Sequence, residues 1–178
     1  RDLVKQWKQD DEGSESAWSR FKAARGELER LLSAVEFDET QVGGGQLPNE
    51  MAAVYADMRS ALGFGGALMG RATVESVAQK VSFEQAWVAP EGETLVLEAH
   101  PVTGVDQLLD SEVSRLAHEV IVHKASGDVT QSWSVPSALS FIFRAEDAPR
   151  YVLVLAGHWV LLAEQERWAE GRYLAVNL

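Results

Sequence analysis

His118 and His123 are residues whose type suggests chemistry, and they flank the run Glu119-Val120-Ile121-Val122. A zinc-protease helix sets two histidines four apart, so that both reach one metal from one face. Here they stand five apart, about 500° of helical rotation and so roughly 140° out of line. The spacing predicts two ordinary histidines beside a core-facing segment. The run Gly63-Phe64-Gly65-Gly66-Ala67-Leu68-Met69-Gly70 invites a nucleotide cradle. A dinucleotide fingerprint needs a strand before it and a helix after it. This run follows a helical pattern, carries Leu68 at its sixth position and lacks the Lys-Ser/Thr ending of a P-loop. It reads as a helix terminator and a loop. Six tryptophans, Trp7, Trp18, Trp87, Trp133, Trp159 and Trp168, are many for 178 residues. Aromatic rings stack on unpaired bases where cationic side chains track the phosphates. Trp168 has such company, in Arg167 and Arg172. Those three residues form a candidate contact patch, toward DNA or, more in keeping with a neighbouring strand that must dock, toward the rest of a longer chain. Core packing is the expectation for the other tryptophans.

Charge restricts the partners. The formal net charge is −11, and acids crowd the middle: Glu84, Glu91, Glu93, Glu98, Asp106, Asp110, Glu112 and Glu119, with Arg115 alone among them. Phosphate contacts are supplied by Lys and Arg, so this balance works against nonspecific DNA binding. The acids read as a solvated face. The absence of cysteine excludes disulfides and thiolate metal sites and fits the cytoplasm. No apolar run approaches the ~20 residues of a membrane helix. The chain opens on Arg1 and closes on Leu178, at the end of a strand-like segment, which predicts a fragment of a longer polypeptide.

These residues must be held by elements that the patterning suggests. Residues 1–40 read as helix, with Ser14 as a cap and Trp18, Phe21, Leu28, Leu31, Leu32 and Val35 along one face. The run Gln41–Gln46 is a break. A second helix starts at Pro48-Asn49, carries Met51, Val54, Tyr55, Met58 and Leu62 as an apolar stripe, and stops at Gly63. Thr73–Phe83, Gln85–Ala89 and Thr94–Ala99 read as strands, the last two joined by Pro90-Glu91-Gly92-Glu93. Asp110–His123 fits a helix, while Val120-Ile121-Val122 fits a strand equally well. Gly127-Asp128 is a turn, and Ser134–Arg144 reads as a helix with Pro136 in its first turn. Tyr151–Ala156 and Trp159–Ala163 form a hairpin about Gly157-His158, followed by a charged connector, Glu164–Arg172, and a last strand. The order gives an α+β domain with a mixed β-sheet flanked by helices over residues 47–178, preceded by a helical extension over residues 1–46.

Two resemblances add to this. The segments Pro149-Arg150-Tyr151-Val152-Leu153-Val154-Leu155-Ala156-Gly157 and Glu166-Arg167-Trp168-Ala169-Glu170-Gly171-Arg172-Tyr173-Leu174-Ala175-Val176 resemble the N-terminal region of bacterial fused type IIG/IIS-like restriction–modification proteins. In these, an adenine-specific DNA methyltransferase is joined to other modules. The order of elements from residue 49 to 156 resembles the restriction-endonuclease-like core. That core sets an Asp near the start of a hairpin and an acid-x-Lys on the next strand, with the acids holding Mg²⁺ through oxygen. The resemblance puts Glu98 in the acid's place and His100 in that of the Lys, with Glu84 and Glu50 as further Mg²⁺ ligands. His100 would then serve as a general base. The replacement of Lys by His and of Asp by Glu84 departs from the pattern. No Asn/Asp-Pro-Pro-aromatic tetrapeptide is present, so S-adenosylmethionine would be bound only in a downstream region. Two functions follow from the resemblance: Mg²⁺-dependent DNA cleavage, complete or degenerate, or a noncatalytic scaffold for the remaining domains, with DNA reached through the parent protein.

Overall fold

The computed structural model describes residues 17–34, 47, 49–64, 68–77, 79–88 and 92–178. Helix α1 (Ala17–Ala34) and helix α2 (Asn49–Ala61) precede three strands, β1 (Leu68–Ser76), β2 (Gln79–Val88) and β3 (Thr94–Glu98). A crossover follows. It holds a single helical turn, α3 (Val105–Leu108), a hairpin of β4 (Val120–His123) and β5 (Val129–Gln131), and helix α4 (Val135–Ile142). The chain closes with β6 (Tyr151–Ala156), β7 (Trp159–Glu164), one helical turn α5 (Gln165–Trp168) and β8 (Leu174–Asn177).

All eight strands join one mixed sheet in the order β5-β4-β2-β3-β6-β7-β8, with β1 on the other edge of β2. Strands β1, β2 and β3 form an antiparallel meander. β6 lies parallel to β3, with Thr94 opposite Tyr151 and Glu98 opposite Leu155. The other pairings are antiparallel. The apolar run of β6 is buried on both faces because helices cover both sides of the sheet's centre. On one side, Leu28 and Leu32 of α1 and Met51, Val54, Tyr55 and Met58 of α2 pack on Val96, Leu153 and Leu155. On the other, Val135, Ala138, Leu139 and Ile142 of α4 pack on Leu95, Leu97, Val152 and Val154. Alternation along β3 and β6 feeds these two layers. Helix α1 shares its apolar cluster with α2 and the sheet rather than packing on its own.

Several expectations change. The strand expected over Thr73–Phe83 is cut by a turn at Val77, and its two halves pair with each other, Ser76 opposite Gln79. A tight turn lets both halves use their alternating apolar residues on one face, which a single long strand could not close. Asp110–His123 is not helical. Its β-branched end, Val120-Ile121-Val122, becomes β4, where Val120 and Val122 point inward. Of the long N-terminal helix, residues 17–34 are helical; Ser14 and Val35 lie outside the described residues, as do Pro90 and Glu91 of the expected hairpin turn.

Helix α4 begins as the sequence predicts. Ser134 has an extended backbone, its Oγ accepts from the Ser137 N–H at 3.3 Å, and Pro136 fills an early position that needs no donor. Ser134→Ala is expected to cost about 1 kcal/mol in urea unfolding, while Ser134→Asp restores most of it.

Candidate functional site

Glu98 sits where the sheet forks. β3 pairs with β2 only at Trp87–Val96 and Val88–Leu95, then leaves it. β2 bulges here: Glu84 and Gln85 together oppose Arg71, between the pairs Gly70–Ala86 and Ala72–Phe83. The chain from Arg115 to His123 fills the gap. It pairs first with the end of β3, through the Ala99–Leu116 bridge, the His100 N–H to Arg115 carbonyl bond at 2.9 Å and the Ala117 N–H to Glu98 carbonyl bond at 2.9 Å. It then bends at Ala117-His118 and pairs with β2 as β4.

The Glu98 carboxylate is 4% exposed. Burial of an ionised carboxylate is costly unless charge and hydrogen bonds compensate it. Both are present. Arg59 Nη1, from the last turn of α2, donates to Oε1, and His118 Nε2 lies 3.2 Å from Oε2. The Arg59 guanidinium also lies over the Trp87 ring, 3.7 Å from its centroid. Burial lowers the pKa of Arg59, opposed by the Glu98 charge that raises it. One turn earlier on the same helix, Tyr55 donates its hydroxyl to the Ala99 carbonyl at 2.8 Å and accepts from the Gly157 N–H at 2.6 Å. Burial above all, and also the Glu98 charge, push this phenol well above its ordinary range, so it stays neutral.

The predicted residues are only partly gathered. Glu84 lines the same small hollow as Glu98, with Phe83, Leu116, His118 and Glu119, but pairs outward with Arg71, whose Nη2 donates to Oε2 at 3.0 Å. The hollow leaves solvent about 10 Å³, the lower limit for one water molecule. His100 is buried and does not line it. Glu50 is exposed in the first turn of α2, nine residues from Arg59 and so roughly 13 Å away along the helix. Among the described residues no group of three or more His, Asp or Glu is placed to hold a metal ion. A cation is already supplied to Glu98 by Arg59, and the remaining space admits no hydrated Mg²⁺, so these residues do not fit the metal.

In the patch at Arg167, Trp168 and Arg172, the ring has partners within the fold while both guanidinium groups stay in solvent, 48% and 64% exposed. The Trp168 ring donates from Nε1 to Ser140 Oγ at 3.3 Å and lies against Phe143. Arg167 pairs with Glu170 at 3.5 Å, and Arg172 with the same carboxylate at 3.4 Å. Trp168 thus anchors this turn on α4. Trp133 packs edge-on against Phe83 and Phe141, as core tryptophans do.

Arg59 and His118 are the functional neighbours that sequence reasoning missed. Arg59 carried a signal, because it lies four residues from Tyr55 and eight from Met51, on the apolar face of α2. A charge on that face needs a buried partner. His118 carried none, since its partner is twenty residues away across a fork. No described helix is long and apolar enough to cross a membrane. No family model matches this chain, and no curated protein or solved structure matches it either.

Proposed function

We propose that this chain is a restriction-endonuclease-like domain that no longer cleaves, and that it holds together the modules of a larger restriction–modification protein. The observation that carries the reading is the state of Glu98. It stands on the third strand after α2, beside the bulge where β2 and β3 part, yet its carboxylate is neutralised by Arg59 and closed off from solvent. Bulges recur next to active sites because they re-aim side chains. Here Glu84, in the bulge, is paired with Arg71. The type IIG/IIS-like resemblance of residues 149–176 supplies the parent context, in which DNA and S-adenosylmethionine are handled elsewhere.

A scaffold needs a docking surface, and the exposed edge of the sheet at β8 supports that reading. Of the large apolar side chains in solvent, Tyr173, Leu174 and Val176 cluster on or beside β8, an edge strand among the described residues. Such an edge offers unpaired backbone groups and apolar side chains together, which favours pairing with another segment. A neighbouring module of the same protein is the occupant the reading requires. DNA is a poor occupant, because Glu93, Asp106, Asp110, Glu112 and Glu119 are exposed on this acidic chain.

The test is metal and DNA together. Millimolar Mg²⁺ or Mn²⁺ is expected to leave the thermal midpoint unchanged and supercoiled plasmid intact. A midpoint that rises with metal and no longer does so in Glu98→Gln, or metal-dependent nicking lost in that variant, would return the domain to the working nucleases.

A further inference from the structure

The sheet carries a second polar cluster, away from Glu98. Ser82 Oγ on β2 lies 2.8 Å from His123 Nε2 on β4, and His123 Nδ1 lies 2.9 Å from Asp128 Oδ1 in the β4–β5 turn. Thr73 Oγ1 on β1 lies 3.0 Å from Ser82 Oγ. Strand register accounts for the line-up. Lys80 is directly opposite His123, which makes Ser82 the diagonal neighbour of His123 on the same face, and Thr73 is directly opposite Ser82. Gly127, with φ of +117°, turns the chain so that Asp128 comes back onto the His123 ring.

The proton order is determined by what each group can do. In the tautomer of His123 that donates from Nδ1 to the Asp128 carboxylate, Nε2 is left as an acceptor. Ser82 then donates to Nε2, and Thr73 donates to Ser82 Oγ. A hydroxyl whose proton is already directed at a neutral imidazole, itself oriented by a carboxylate, is the arrangement of an activated serine nucleophile. Lys80 lies two residues along the same face, with its Nζ 3.6 Å from Glu75 Oε2.

We propose that Ser82 is a nucleophile that accepts the acyl group of small activated carboxylic esters, with His123 as its base and Asp128 as the positioning residue. In the first step Ser82 Oγ bonds to the ester carbonyl carbon while its proton passes to His123 Nε2. The bond from that carbon to the leaving oxygen then breaks, and His123 returns the proton to the departing alcohol. Acyl-Ser82 and a neutral imidazole remain. Water attacks the acyl carbon in the second step, giving its proton to His123, which passes it to Oγ as the carboxylic acid departs. Ser82 is 1% exposed, so a substrate reaches Oγ only when the Thr73 side chain, exposed on the edge strand β1, turns aside. That restricts substrates to small ones. The same four groups would also satisfy one another as a purely structural clip across β1, β2 and β4, and the two roles differ in whether Oγ reacts.

The experiment treats the full chain with a fluorophosphonate probe, which phosphonylates activated serines with loss of fluoride, and reads the adduct by intact mass and peptide mapping. One adduct is expected, on Ser82. His123→Gln is expected to slow it about a hundredfold or more, the contribution of a positioned base, and Thr73→Ala to accelerate it. A Ser82→Ala chain should remain unlabelled. Absence of a Ser82 adduct in both the folded wild type and Thr73→Ala would overturn the proposal. So would labelling of Ser82 at a rate indifferent to His123→Gln.

Discussion

Glu98→Ala is expected to destabilise the domain by about 3–5 kcal/mol, the loss typical when one partner of a buried ion pair is removed. Arg59 would be left in a site shaped for a salt bridge, over Trp87 but without its counter-charge, and His118 would lose its partner. For a chain of 178 residues this corresponds to a fall in thermal midpoint on the order of 10 °C. The sign separates two roles. A carboxylate kept for metal catalysis in an open cleft is a source of strain, and its removal is neutral or stabilising. A carboxylate kept for structure behaves in the opposite way. The double variant Arg59→Met with Glu98→Leu completes the argument. Two apolar side chains of similar volume avoid the desolvation of both charges, so this variant is expected to regain most of the lost stability. Urea unfolding of the wild type, Arg59→Met, Glu98→Leu and the double variant gives the coupling directly. A Glu98→Ala domain as stable as the wild type would contradict the structural role, and with it the proposal that rests on that role.

What the sequence allowed and what it concealed divide along the range of the interactions. The α2 stripe, the start of α4 near Pro136 and the β6–β7 hairpin about Gly157 are visible because each depends on residues within one or two turns of one another. The middle was ambiguous for a physical reason. Val113, Leu116, Ala117, Val120 and Ile121 recur with helical spacing, but the vacancy beside β2 that β4 fills exists only after β3 has peeled away. Tertiary pairing overrode local pattern there. The Glu98 site was half legible. Glu98 and Glu84 do come to one hollow, but whether a carboxylate faces a metal or an arginine is decided by a helix that lies far upstream in sequence. The Ser82–His123–Asp128 line was concealed more completely. His123 and Asp128 are close in the chain, yet Ser82 joins them only through the β2–β4 register. His123 read as an ordinary histidine flanking a core segment because its ring partners could not be seen from its own neighbourhood.

Tyr55→Phe tests how the helical layer is tied to the sheet, and its cost is expected to be about 2–4 kcal/mol. The hydroxyl serves two buried backbone groups at once, the Ala99 carbonyl just after β3 and the Gly157 N–H in the turn after β6. Phe keeps the ring and nearly all the packing of this fully buried side chain. The substitution therefore isolates the hydrogen bonds. Each backbone group left without a partner costs about 1–3 kcal/mol when water cannot replace the lost bond. The pH dependence supplies an independent check with a definite sign. The unfolded phenol ionises near its ordinary value of about 10, while burial holds the folded one neutral well above that. The stability associated with this group is complete below about pH 10 and declines as pH rises further, because the unfolded chain alone releases the proton. Other groups titrate in the same range, so the informative quantity is the difference between two curves. Stability plotted against pH for the wild type should fall more steeply above about pH 10 than for Tyr55→Phe, by the slope of one proton. Parallel curves would mean that the hydroxyl ionises freely in the folded protein. It would then not be the closed bridge between Ala99 and Gly157 that fixes α2, and with it Arg59, over the end of β3.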